Sequence, residues 1–227
     1  MSDTVAGTLW TTPGQFTGKA IKATAAYAGI KIAYPASYIH FEDNYKPDFV
    51  TKFPYSKVPA WEGADGFTLF ESAPIARYIA SLAPESGLLG KTAKEAALID
   101  QWIHLMEEAN NYTENIELYI QHVLTPYSKS SHELFVQYQI RALRVLNSHL
   151  AQRTFLVGDA LTLADIFIAA LVLRACGINI ATAERAKLPH LVRHMEMVLN
   201  QPVFVEAGIF PPIPVLDKAG SPFLSFD

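Results

Sequence analysis

Residues 7–11 (GTLWT) gather β-forming side chains between turn residues and predict a first strand. Thr12-Pro13-Gly14-Gln15-Phe16 then punctuates the chain with a turn. An alanine-rich stretch capped by Thr17 or a neighbour predicts a helix through Ala28, with Gly29 where a left-handed residue ends such helices. Residues 30–34 predict a second strand, and the short helical crossover makes it parallel to the first. Residues 40–52 are polar and irregular, with a short helix after Pro47. Residues 58–61 and 67–70 predict two more strands, joined by the hairpin turn Glu62-Gly63-Ala64-Asp65-Gly66. A helix over 72–82 follows, with Ile75, Ile79 and Leu82 on one face.

Helical spacing governs the rest. Leu98, Trp102 and Leu105, with Ile99, Ile103 and Met106 one position round, make a broad apolar stripe. Phe135, Tyr138, Ala142, Leu143, Leu146 and Leu150 mark a second long helix after a break at Thr125-Pro126. Residues 164–173 are apolar nearly all round, which predicts a buried central helix. A helix over 188–200 ends at Gln201-Pro202, and the tail 210–214 (FPPIP) reads as extended. The pattern predicts an α/β thioredoxin-like N-terminal domain over 1–84, a linker over 85–91, and an all-α helical C-terminal domain with an extended tail over 92–227.

Composition narrows the function classes. Half of the 227 residues are hydrophobic and 18% are charged, enough to bury a core. A net charge of -4 leaves no basic field, so nucleic acid is not an expected partner. The single cysteine, Cys176, allows no disulfide within the chain, and its apolar setting predicts a core residue. None of the seven histidines has metal-ligand spacing, so no metal is expected. The longest apolar run, 166–173, is too short for a membrane span, and the start MSDTVAG lacks the regions of a signal peptide. A cytoplasmic location is the expectation.

Two short stretches carry candidate chemistry. In Lys57-Val58-Pro59 a proline enters a strand where it cannot donate to the ladder. It is an edge-strand proline, or a cis bond that turns the N–H and C=O of Val58 toward a ligand. In Glu71-Ser72 the serine opens a helix with Pro74 in its first turn. That serine is a cap, or it marks free N–H groups and a positive helix end suited to a carboxylate, with Glu71 beside it for an ammonium and Lys57 for a second carboxylate. Thr162 and Asp165 form an [ST]-x-x-[DE] capping box, a structural feature.

SKVPAWEG, FTLFESAPIARYIA and the capping box FLVGDALTLADI together resemble the cytosolic glutathione transferases over nearly the whole chain. Within that superfamily FPYSKVPAWEGADGF with FES is most similar to fungal transferases related to the transferase-like domain of the gamma subunit of translation elongation factor one. The resemblance implies that glutathione is the co-substrate. Val58 would pair with its cysteine backbone beside a cis Pro59, Glu71 and Ser72 would hold the γ-glutamyl end, and Lys57 the glycine carboxylate, with Asn44 to Lys46 as a further contact. It also implies a homodimer pairing through the helix of Arg77 and Tyr78 and the next one. The electrophile pocket would lie between the domains, with Trp102, Met106, Asn111 and Tyr112 as candidates.

The departure is at the catalytic position. Such transferases place Ser, Tyr or Cys after strand 1, and counting back from Gly29 the matching residue is Gln15, with Thr12 and Thr17 in the same loop. Ionising a thiol of pKa about 8.5 near neutrality needs about 1.4 kcal/mol per unit, which a helix N-terminus and one donor supply. The expected function is conjugation of glutathione to small apolar electrophiles, or hydroperoxide reduction. The alternative is a non-catalytic module of elongation factor gamma type that mediates protein–protein contacts. That subunit continues into a Lys-rich linker and a further domain, whereas this sequence stops at Asp227, so a free-standing enzyme is expected.

Overall fold

The computed structural model describes residues 4–120 and 128–210. Strand β1 (Gly7–Trp10) leads into helix α1 (Phe16–Tyr27), and Gly29, at φ 68°, turns the chain back as its position predicted. A 3-10 turn at Asp43–Tyr45 precedes the short α2 (Pro47–Lys52). Strands β2 (Ala60–Gly63) and β3 (Thr68–Phe70) then form a hairpin, and α3 (Ser72–Ser81) follows directly.

The sheet runs β1-β2-β3, both pairs antiparallel, with Gly7 opposite Gly63 and Ala60 opposite Phe70. The strand predicted at 30–34 is reduced to one parallel bridge, Thr8 to Ala33. Ala6 N–H donates to Lys31, Leu9 N–H to Ala33, and Ala33 N–H to Gly7. Pro35 has no N–H with which to extend that ladder. Leu82 does not share the buried face of Ile75 and Ile79: it sits just past α3, at the cap, and is 42% exposed.

The helical half comprises α4 (Ala93–Ile120), α5 (Lys129–His149), α6 (Leu163–Ile178), a single turn α7 (Thr182–Arg185), α8 (Pro189–Leu199) and the short α9 (Pro202–Glu206). The break expected at Thr125-Pro126 and the FPPIP tail beyond Phe210 lie outside the described residues. Helix α6 is buried along almost its whole length, as its uninterrupted apolar run requires. The capping box forms, with Thr162 bonded to the backbone of Asp165 and Asp165 to that of Thr162. Asp165 also accepts from Leu156 N–H at 2.9 Å and meets His194 Nε2 of α8 at 2.8 Å, with both side chains fully buried. Cys176 lies in this core, where burial pushes its thiol up to about 11.

Helix α1 packs against α3 on one side and α6 on the other. Leu9, Ile21, Ile75 and Ile79 of the sheet half therefore share one apolar core with Ile99, Leu143, Phe167 and Leu191 of the helical half. That packing places the loop after β1, the loop before β2 and the start of α3 opposite α4.

Candidate functional site

A cleft of about 330 Å³ opens where those elements meet. Of the residues singled out in the sequence, Gln15, Thr17, Lys57, Val58, Pro59, Glu71 and Ser72 all line it, and Thr12 does not. Thr12 contributes its carbonyl to the Gln15 N–H at 3.1 Å, closing the turn that aims Gln15 inward.

Gln15 is held at both ends of its side-chain amide. Its Oε1 accepts from Thr11 Oγ1 at 2.8 Å, and its Nε2 donates to the Val58 carbonyl at 2.6 Å. Thr11 reaches that position because residue 18 is glycine: a Cβ there would collide with Thr11 Oγ1. The peptide bond Val58–Pro59 is cis. Both residues precede β2, so the strand starts two residues later than the pattern predicts. The Val58 carbonyl, expected to face a ligand, accepts one hydrogen bond from Gln15 and keeps a second lone pair. Gln15 Nε2 carries a second hydrogen besides the one given to Val58, and the residue lines the cleft.

Glu71 occupies the cap position of α3 with φ 72°, a left-handed conformation uncommon for a residue with a side chain. No side chain caps α3. Ser72, 6% exposed, does not cap the helix that it opens. Its hydroxyl donates across the cleft to Glu107 Oε1 of α4 at 3.3 Å. The first N–H groups of α3 thus keep their donors and the positive helix end available to an anion.

Helix α4 supplies a wall that periodicity did not mark out. Glu107, Asn110, Asn111 and Glu114 follow one another at helical spacing along the cleft. Burial pushes the Glu107 carboxyl above the ordinary carboxylate range, against the opposing pull of His104 and Ser72. Asn110 donates to Glu114, and Arg174 of α6 donates to both. The apolar stripe named α4's core face; the polar face beside it had the same period and gave the only available signal. Trp102 and Met106 lie on that core face, and Tyr112 stacks toward Phe135 and Tyr138, so of the four expected electrophile contacts only Asn111 lines the cleft.

Lys57 is exposed, its ammonium 4.6 Å from the centre of the Tyr55 ring at the cleft mouth. The stretch Asn44 to Lys46 faces elsewhere. Buried Asn44 donates to the Ser56 carbonyl at 2.7 Å, bracing the loop before Lys57, while Lys46 pairs with Asp43 and Glu42. Among the described residues no cluster of three or more metal-ligating side chains occurs.

Known proteins place this arrangement. The chain matches the family models "Glutathione S-transferase, N-terminal domain" over residues 5–81 and "Glutathione S-transferase, C-terminal domain" over 127–202. It is 37% identical to Glutathione S-transferase psoE of Aspergillus fumigatus, covering 88% of this chain and 82% of that protein. It is 33% identical to Elongation factor 1-gamma of Danio rerio over 88% of this chain but only 45% of the relative. The solved structure of the glutathione transferase URE2P6 from Phanerochaete chrysosporium, in complex with oxidized glutathione, shares the fold at a TM-score of 0.81, with 19% identity over 92% of this chain and all of that one (100%). The two matched halves, the small sheet with its helices and the helical half packed on it, agree: the chain belongs to the glutathione S-transferase family.

Proposed function

We propose that the cleft binds glutathione and that the chain joins it through its sulfur to an electrophile. The observation that carries this reading is the convergence of Lys57, Val58, Glu71 and Ser72 on the uncapped start of α3, with Gln15 aimed at the same space. Glutathione has two carboxylates, one ammonium and a thiol. The N–H groups and dipole of α3 suit the γ-glutamyl carboxylate, and Glu71 suits the ammonium beside it. Lys57 suits the glycine carboxylate. The second amide hydrogen of Gln15, and the Thr17 hydroxyl in the same lining, suit the thiolate. The thiol proton passes to solvent, the sulfur forms a bond to the electrophilic carbon, and a leaving group such as halide departs with the bonding pair.

The α4 wall favours a more polar electrophile than the apolar one expected from the sequence. The α4 wall offers Glu107, Asn110, Asn111 and Glu114 and no aliphatic side chain, which favours a co-substrate with a hydrogen-bond donor or a cationic group. The reading includes a homodimer pairing through α3 and α4, which sedimentation analysis checks, and a division into domains near residues 84 and 91.

Calorimetry with glutathione tests the platform: the Ser72 hydroxyl turns from Glu107 to the γ-glutamyl carboxylate on binding, and Ser72→Ala weakens binding about tenfold, the scale of one charge-assisted hydrogen bond. No binding by the wild type would sink the proposal. A conjugation assay with an aryl halide tests the thiolate group, and Gln15→Ala slows turnover on the order of tenfold to a hundredfold. A second reading draws on the missing hydroxyl at Gln15 and the likeness to elongation factor 1-gamma: the cleft binds glutathione without turnover, and the fold serves protein contacts. Full binding with no conjugation of any polar or apolar aryl halide would favour it.

A further inference from the structure

Gln15 stands at the cap position of α1, yet its side chain makes no bond to the first N–H groups of that helix. The amide is committed to two other partners, and their chemistry leaves it one orientation. The Val58 carbonyl can only accept, so at 2.6 Å it takes the nitrogen end of the amide. The oxygen end then faces Thr11 at 2.8 Å, and the Thr11 hydroxyl, able to donate or accept, has to donate. The two bonds thus run in one sense, from the residue after β1, through Gln15, to the cis bond before β2.

Two fixed points matter because the last torsion of a glutamine is broad. Held by Val58 at one end only, the amide plane swings about that bond. With Thr11 holding the other end the plane is set, and so is the direction of the second Nε2–H. An amide oxygen that accepts a hydrogen bond also polarises its own amide, which strengthens the N–H as a donor. Gly18 shows what this clamp asks of the chain. Glycine is a poor helix former, and this one lies buried in the first turn of α1. A Cβ there would strike Thr11 Oγ1 and stand 3.4 Å from Gln15 Oε1, at the bond itself.

We propose that Thr11 is a positioning residue for the sulfur chemistry of the cleft: its hydroxyl fixes and polarises the Gln15 amide so that the second Nε2–H stabilises the glutathione thiolate. This rests on the cleft holding glutathione. Thr11 does not line the cleft and acts through Gln15. No proton leaves the amide. The thiol gives its proton to solvent, and the N–H donates a hydrogen bond to the sulfur anion. The sulfur then bonds to the electrophilic carbon as halide leaves with the bonding pair.

Titrating the thiolate of bound glutathione by its ultraviolet absorbance tests this, since the reading needs binding but no turnover. Thr11→Val is expected to raise the midpoint for thiolate formation by about one pH unit, a tenfold smaller thiolate fraction below it. Calorimetry in mildly acid buffer, where the thiol is protonated, should give a glutathione affinity within about twofold of wild type, because Thr11 touches no other part of the ligand. Near neutral pH, kcat/KM with an aryl halide falls about tenfold. Thr11→Ser keeps the hydroxyl and restores both readings, and in a Gln15→Ala background Thr11→Val has no further effect. Thermal melts confirm that each variant is folded. An unchanged midpoint in Thr11→Val, a tenfold loss of its glutathione affinity, a Thr11→Ser no better than Thr11→Val, or equal losses with and without Gln15 overturns the role of Thr11 while the glutathione site stands. A bound thiol that titrates in the wild type as free glutathione does has the same effect. A wild type that binds no glutathione overturns both.

Discussion

Glu107 is a half-buried carboxyl with its pKa raised, and that shift has a sign in folding. The native state holds the Glu107 proton more tightly than the unfolded chain does. Its contribution to stability is therefore complete below the ordinary carboxylate range and is lost as pH rises through the native pKa. Glu107→Gln removes this loss. The variant is expected to melt about 2 °C higher than wild type near neutral pH, with the difference vanishing in acid. Parallel melts across pH check it, and a variant less stable at neutral pH would show that the bonds to Ser72 and His104 outweigh the burial. Gln15 shows what sequence could reach at this scale. Its place was legible by counting back from Gly29, but its use of the Val58 carbonyl was not, since a contact spanning 43 positions leaves no local pattern.

At the scale of elements, α6 was the most legible, while of α4 only the apolar face was. An unbroken apolar run and a capping box are local signals, and α6 follows both. The strand at 30–34 had the composition of a strand, yet Pro35 and a single partner reduce it to a bridge. The meaning of α4's polar face depends on what stands opposite, and only packing supplies that. The start of α3 had a serine in the capping place, and tertiary structure redirected its hydroxyl to Glu107. Asp165 carries more than a cap, since it also ties the Leu156 backbone and His194 of α8 to α6. Thr162→Ala is expected to cost about 1 kcal/mol, as for an ordinary cap. Asp165→Ala, which strips buried partners on two elements, is expected to cost about 3–5 kcal/mol. Urea unfolding separates the two, and equal losses would reduce Asp165 to a cap.

At the scale of the molecule, the sequence split the chain into a mixed half and a helical half, and the observed architecture has both. It did not show how far they share a core. Because α1 is clasped between α3 and α6, neither half buries its apolar surface alone. Calorimetric unfolding should give one transition whose van't Hoff and calorimetric enthalpies agree. Residues 1–84 expressed alone should lack cooperative unfolding. Two resolved transitions, or a folded fragment, would contradict this.

The clasp on α1 also sets an order in time. The sheet and α3 leave the ribosome first, but the helix that covers the outer face of α1 begins only at Leu163. Roughly eighty residues separate the end of α3 from that partner, a wait of about 4–16 s at ordinary rates of synthesis. Through that interval the nascent half carries an open apolar face, and chaperones have a window that closes when α6 arrives.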